Sequence, residues 1–366
     1  MDSKNPSTDF DINSFIEDYE KDFPEINLNN KNIKLSKNGN DYAVMNLITK
    51  EDVRSRNIYI AKIHPPTLNV LVSNPNIEEG VQIGDGVKIY RSEIKKNVVL
   101  NVNSKIGIEV FLGEDVIIGK NSEVTADYPA TWGLSLHKRT VIGDNCKIIG
   151  DGFIGPKAYI ANDCMLRGNL HIEENVFIQS GARVKSAFIC SNVRIGFNFK
   201  GDNVSVSSLT NIGNNVRIDD LSKIGENSFI YDNVDIGKNV TVGKGIVISK
   251  FSKIGDYCFL GSTDFKDNMI YVGAYAILGS FVTLRQHVSV ESNSKLEENV
   301  KIENHTNIGH STTVGKNVNV GQYSNIGSRV VIGENSVIGN YVTILDNISI
   351  KSDSVINDFS VIDKNE

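Results

Sequence analysis

From Val272 to Ile362 an aliphatic residue returns at every sixth position, through Leu278, Leu284, Val290, Leu296, Ile302, Ile308, Val314 and on to Ile350 and Ile356, without a slip. A helix buries a face about every 3.6 residues and a strand every second residue, so a six-residue period is neither. The same frame starts upstream at Ile77, Ile83 and Ile89, slips by one, and continues from Ile94 to Val124. A segment at 127–139, carrying the only Trp, interrupts it. It resumes from Ile142 to Val184, slips around Ile189, Ile195 and Phe199, and returns from Val206 to Leu260. A second interruption at 261–270 precedes the clean run.

Three places after the aliphatic residue stands Asn, Asp or Gly, as at Asp115, Asn121, Asn145, Asn175, Asn215, Asn227, Asn239, Asn317 and Asn335. These residue types adopt positive φ at low cost. Each six-residue unit therefore predicts a short strand and a sharp corner, and three units close a triangular coil of eighteen residues. Stacked coils pair as parallel strands about 4.8 Å apart. The aliphatic column fills the prism, so chemistry belongs on outer walls, inserted loops or between chains. The fold class expected is all-β, a parallel β-helix over 77–366, behind a small N-terminal α/β or irregular extension over 1–76.

Within that extension, Ile12, Phe15, Ile16, Tyr19 and Phe23 share one face of a predicted helix over 11–23, stopped by Pro24. The extension is expected to cap the first coil or to bind the acceptor. Residues 1–25 hold eight acids and two bases, which accounts for the whole formal charge of −6 and leaves the body neutral. No basic stripe suits a phosphate backbone, so nucleic acid is not an expected partner. No long uncharged apolar run predicts a membrane span and no signal-peptide pattern opens the chain, so a cytoplasmic location is expected. Cys146, Cys164 and Cys258 each lie four places after a core aliphatic residue, the small inward position, and are expected to be buried fillers. No metal is expected.

With the register fixed, the histidines separate. His287 and His305 fall at corners 18 apart, and Tyr323 and Tyr341 continue that spacing, which predicts a stacked corner ladder. His310 lies two places after Ile308, before the corner, where a side chain points off the wall. His64, His137 and His171 have no visible acid or nucleophile partner in the sequence.

The repeat, together with Ile308-Gly309-His310 before Val314-Gly315, resembles the left-handed parallel β-helix, hexapeptide-repeat acyltransferases, among them those of lipid A assembly and those acting on nucleotide-linked amino sugars. The resemblance implies a left-handed coil and a homotrimer with sites between prisms. It implies His310 as general base and the Ser328 backbone amide, one coil on, as oxyanion donor, although Ser stands where the family often has Gly. It implies an acyl-CoA or acyl carrier thioester as co-substrate, whose phosphates Lys316 and Arg329 would meet, and a sugar as acceptor. Family histidines are often oriented by an acid; here Ser311 follows, and Glu291 or Glu303 is the nearest candidate. The neutral body favours coenzyme A over an acidic carrier.

Two other readings stay open. One is a non-catalytic β-helical scaffold that binds partners along its walls. The other is a metal enzyme like the γ-type carbonic anhydrases, for which His305 lies five residues before His310 rather than after it. A sugar-nucleotide pyrophosphorylase is excluded, because the extension is too short for a nucleotidyltransferase domain and has no Gly-rich phosphate loop.

Overall fold

The computed structural model describes residues 76–127, 133–261 and 269–365, together with the backbone of strands Lys34–Asn38, Asp41–Met45, Ile60–Ile63 and Leu71–Ser73. The predicted helix at 11–23 lies outside the described residues, as do the centres of both insertions. The fold is an all-β, left-handed parallel solenoid, with no helix among the described residues. No helix is long and apolar enough to cross a membrane among them. The chain divides into two compact units, 1–181 and 182–366.

In the first unit, three walls of short parallel strands stack coil on coil. One wall runs through Val99–Leu100, Ile117–Ile118, Val141–Ile142 and Tyr159–Ile160; the other two pass through Lys105–Ile106 and through Val110–Leu112. Pairing begins before Ile77, since Ile60–Ile63 lies against Val81–Ile83 and Leu71–Ser73 against Lys88–Tyr90. The hexad count misses this start because the segment 64–75 carries three prolines and no six-residue frame. Across the first insertion Ile118 pairs with Ile142, 24 positions on, so the extra residues leave the ladder register unchanged.

The same unit carries a surface chain of ion pairs. Lys95 Nζ lies 2.8 Å from Glu78 and 2.7 Å from Glu93, Lys138 lies 2.7 Å from Glu114, and Glu123 sits between Lys105 at 2.8 Å and Lys147 at 3.3 Å. The Lys95 hydrogen bond holds Glu78 below the usual carboxylate range, and those from Lys138 and Lys96 do the same for Glu114. Burial pushes Glu123 up, but its bonds to Lys105 and Lys147 outweigh this and leave it lowered.

The second unit repeats the design with fewer irregularities. Every aliphatic residue of the Val272–Ile362 run is buried. Burying one such side chain is worth about 1.5–3 kcal/mol, so the column supplies the main driving force. The second inward position is small and often a hydroxyl: Ser294 Oγ donates to Gly309 O at 2.7 Å and Thr312 Oγ1 to Gly327 O at 2.7 Å. Cys146 and Cys164 in the first unit and Cys258 in the second occupy this position and are buried; burial pushes the Cys258 thiol up to about 12.

Corners follow expectation. Asn299, Asn317 and Asn335 have φ near 60° and pass side-chain hydrogen bonds up to Asp353 at 2.9–3.0 Å. On another corner His287, His305, Tyr323 and Tyr341 stack with centroids 4.6, 4.7 and 5.1 Å apart, and Phe359 extends the ladder at 5.0 Å.

One frame position differs from the expected one. Gly201, not Phe199, stands in the aliphatic row, opposite Val184 and Ile218. Phe199 is fully buried, and a Cβ on Gly201 would lie 2.8 Å from its ring. The ring fills the core volume that the glycine leaves. The coils here are 17 residues long, as Ile195 against Ile212 shows, which is why the hexad count slipped.

A carboxyl whose folded pKa lies below its unfolded value of about 4.3 stabilises fully above that value and loses its contribution as pH falls through the folded one. Glu123→Gln is therefore expected to lower stability by about 0.5–1 kcal/mol at neutral pH, with the gap to wild type closing on acidification. Denaturant unfolding at a series of pH values checks this; a gap that does not close would assign the loss to packing.

Candidate functional site

The candidate site is a corner of the second unit between strands Asn307–Ile308 and Thr313–Val314. Gly309 leaves the first strand and His310 follows in the turn, exposed. Ser311 makes the corner with φ 56°. Glycine is required at 309, because a Cβ there would stand 2.6 Å from the Gly327 carbonyl of the next coil. The Ser294 and Thr312 hydroxyls bind the carbonyls of Gly309 and Gly327, so the corner is fixed from inside while the imidazole stays outside.

The structure sorts the histidines by what holds them. His287 and His305 are stacked in the ladder. His137 and His171 lie edge-on to Phe153, with centroids 5.7 and 4.2 Å away, and His171 Nε2 lies 3.8 Å from Glu173. Among the described histidines only His310 has no ring contact, hydrogen bond or ion pair through its side chain. The fold makes no use of it.

Ser328 stands one coil on at the same corner, where the Arg329 amide donates to His310 O at 2.8 Å. The Ser328 amide is already engaged: it donates to Asp346 Oδ1 at 2.7 Å. Arg329 shares the corner, and its Nε donates to Asn347 Oδ1 at 2.6 Å. Lys316 does not share it. It lies beyond strand Thr313–Val314, with Nζ 3.9 Å from Glu298.

Of the two acids considered, Glu291 is near and Glu303 is not. The Glu291 amide donates to Ile308 O at 2.8 Å, which places it beside Gly309 on the preceding coil, and its carboxylate accepts from Ser289 Oγ at 3.1 Å. Glu303 follows a different wall and pairs with Arg285 at 3.8 Å. Among the described residues no group of three His, Cys, Asp or Glu is placed to hold a metal ion, and His305 of the carbonic-anhydrase reading is held between two rings.

The residue that sequence reasoning missed is Asp346. Its signal was present: it lies two places after Ile344, in the same place as His310 and one coil beyond Ser328. An acid there caps a backbone amide. Asp346→Ala is expected to lower stability by about 1 kcal/mol, and Asp346→Asn by less, because an amide oxygen can still accept. Chemical denaturation of both variants checks this; equal losses would show that the charge rather than the hydrogen bond matters.

The family model described as the GMPPB C-terminal domain matches residues 148–235. No curated protein matches the chain. Among solved structures the chain is similar to a UDP-N-acetylglucosamine acyltransferase from Campylobacter jejuni, at 17% identity over 48% of this chain and 68% of that one, with a TM-score of 0.22. It is similar to LpxA from Acinetobacter baumannii at 18% identity over 60% and 66%, with a TM-score of 0.27. It is also similar to the UDP-N-acetylglucosamine O-acyltransferase of Moraxella catarrhalis at 13% identity over 61% and 70%, with a TM-score of 0.19. The likeness is to hexapeptide-repeat acyltransferases in repeat and fold.

Proposed function

We propose that the chain is an acyltransferase in which His310 is the general base, moving an acyl group from a coenzyme A or carrier-protein thioester to an amine or hydroxyl of an amino sugar or nucleotide-linked sugar. The observation that carries this reading is the exposed His310 imidazole, which no other described residue engages, on a corner otherwise fixed from within.

The chemistry suits that group. An imidazole titrates near neutrality and can accept the proton of an attacking amine or hydroxyl. The new C–N or C–O bond forms as that proton passes to the ring, the C–S bond then breaks, and the departing thiolate takes the proton from the imidazolium. Arg329, on the same corner, is the better placed cation for the donor's phosphates; Lys316 would meet only a donor that crosses the whole wall. Glu291, beside Gly309 on the preceding coil, is suited to orient the ring. A homotrimer would bring a second wall to the exposed corner.

A partner-binding scaffold is the second reading, and one observation favours it. Phe229, Val247 and Tyr271 stack in register on one wall of the second unit, and Phe251 and Tyr275 stack on the corner that follows, with centroids 4.8 Å apart. The exposed rings among them, Phe229, Phe251, Tyr271 and Tyr275, suit protein contacts.

His310→Ala is expected to lower thiol release from acetyl-CoA, in the presence of a panel of amino sugars, by about 10²–10⁴-fold while leaving the melting temperature unchanged. Retained transfer removes His310 as the base. Wild-type protein that neither binds nor hydrolyses acetyl-CoA turns the assignment to the scaffold.

A further inference from the structure

A rule of the coil identifies which amide faces His310. At the second place after the aliphatic residue, an Asn or Asp side chain repeatedly accepts the backbone N–H of the same place one coil earlier. Asp232 takes the Asn214 amide at 2.7 Å, Asp256 that of Lys238 at 2.8 Å, Asn304 that of Gln286 at 3.1 Å, Asn340 that of Gln322 at 3.1 Å, and Asp358 that of Asn340 at 2.8 Å. Asp346 taking the Ser328 amide is one more case. An Asn or Asp side chain at this place thus reaches back to the preceding coil.

The amide one coil before His310 is that of Ser292, which lies two places after Val290. The coils are in register there, since the Ser311 amide donates to Ser292 O at 3.0 Å. Among the described residues the Ser292 N–H donates to nothing, because the place that would cap it holds an imidazole instead of Asn or Asp. The Ser328 amide, by contrast, is filled by a carboxylate, so an oxyanion there would have to displace a like charge.

We infer that the Ser292 backbone amide, not that of Ser328, is the oxyanion donor for the acyl transfer served by His310; this rests on the acyltransferase reading above. The thioester carbonyl oxygen accepts the Ser292 N–H, and the nucleophile adds to the carbonyl carbon as its proton goes to His310. The carbonyl electron pair moves onto the oxygen held by that amide. On collapse the C–S bond breaks, and the thiolate takes the proton from the imidazolium. One fixed donor at the developing charge is worth about 10²–10³ in rate.

The chain supplies its own guide to the test. Pro156 occupies the same place two positions after Ile154, its carbonyl accepts the Asn175 amide at 3.1 Å, and Lys157 follows with φ 57°. The corner therefore accepts proline, and Ser292→Pro deletes an N–H that no ladder uses. Ser280→Pro, at the same place on the neighbouring corner, is the control.

With acetyl-CoA and an amino-sugar panel, Ser292→Pro is expected to lower kcat by about 10²–10³-fold with KM little changed, and Ser280→Pro to retain transfer. His310→Asn is expected to slow hydrogen exchange at the Ser292 amide by about tenfold or more relative to His310→Ala, since the new side chain caps it. Full turnover in Ser292→Pro alongside a dead His310→Ala overturns this inference and leaves the base assignment standing. Turnover retained in His310→Ala overturns both. If Ser292→Pro does not fold, the exchange measurement decides, and unchanged exchange in His310→Asn overturns the inference.

Discussion

Everything in each unit depends on coil-to-coil backbone hydrogen bonding in strict register. The amide after an aliphatic residue binds the carbonyl of the next coil's aliphatic residue, as Gly309 does to Ile326 at 2.8 Å and Gly327 to Ile344 at 2.8 Å. Register makes every side chain stand on its counterpart. That single constraint turns one sequence position into a column with one environment, whether the column is aliphatic and buried, a run of amides at a corner, or a row of rings.

The column view explains why His310 stands out physically. Its own column holds Ser292 below and Ser328 and Asp346 above, and only the last of these captures an amide. The imidazole there does not cap the amide beneath it, as Asp346 does one storey beyond Ser328, and the Ser292 N–H is left without a partner among the described residues. In the ladder column, the same residue type at His287 and His305 is consumed by stacking at 4.6 Å. Identical chemistry is spent on the fold in one column and left available in the other.

What was legible in the sequence is whatever the six-residue count carries: the buried aliphatic rows, the positive-φ corners, the small inward thiols and the ladder from His287 to Tyr341. Contacts that depend on three-dimensional compensation were not legible. The frame slips around Phe199, and only the ladder shows that Gly201 takes the row position while the buried ring enters from two residues away. The start of pairing at Ile60 was hidden by prolines and a lost period. The direction in which a corner side chain reaches, back toward the preceding coil, appears in no single unit of sequence. It emerges only once Asp346 and Ser328 are stacked.

The three-walled repeat makes changes of chain length discrete in their effect. Removing eighteen residues between equivalent points would lift out one storey and leave every surviving column intact. Removing six would rotate all that follows by a third of a turn, carrying a corner residue onto a different ridge while keeping it on a ridge. Both interruptions add six positions yet leave the walls aligned, as Ile118 with Ile142 and Ile254 with Leu278 show, so the added residues stand outside the six-residue count. Such a molecule can gain loops freely at its edges, whereas its imidazole keeps its neighbours only through insertions and deletions that respect whole storeys.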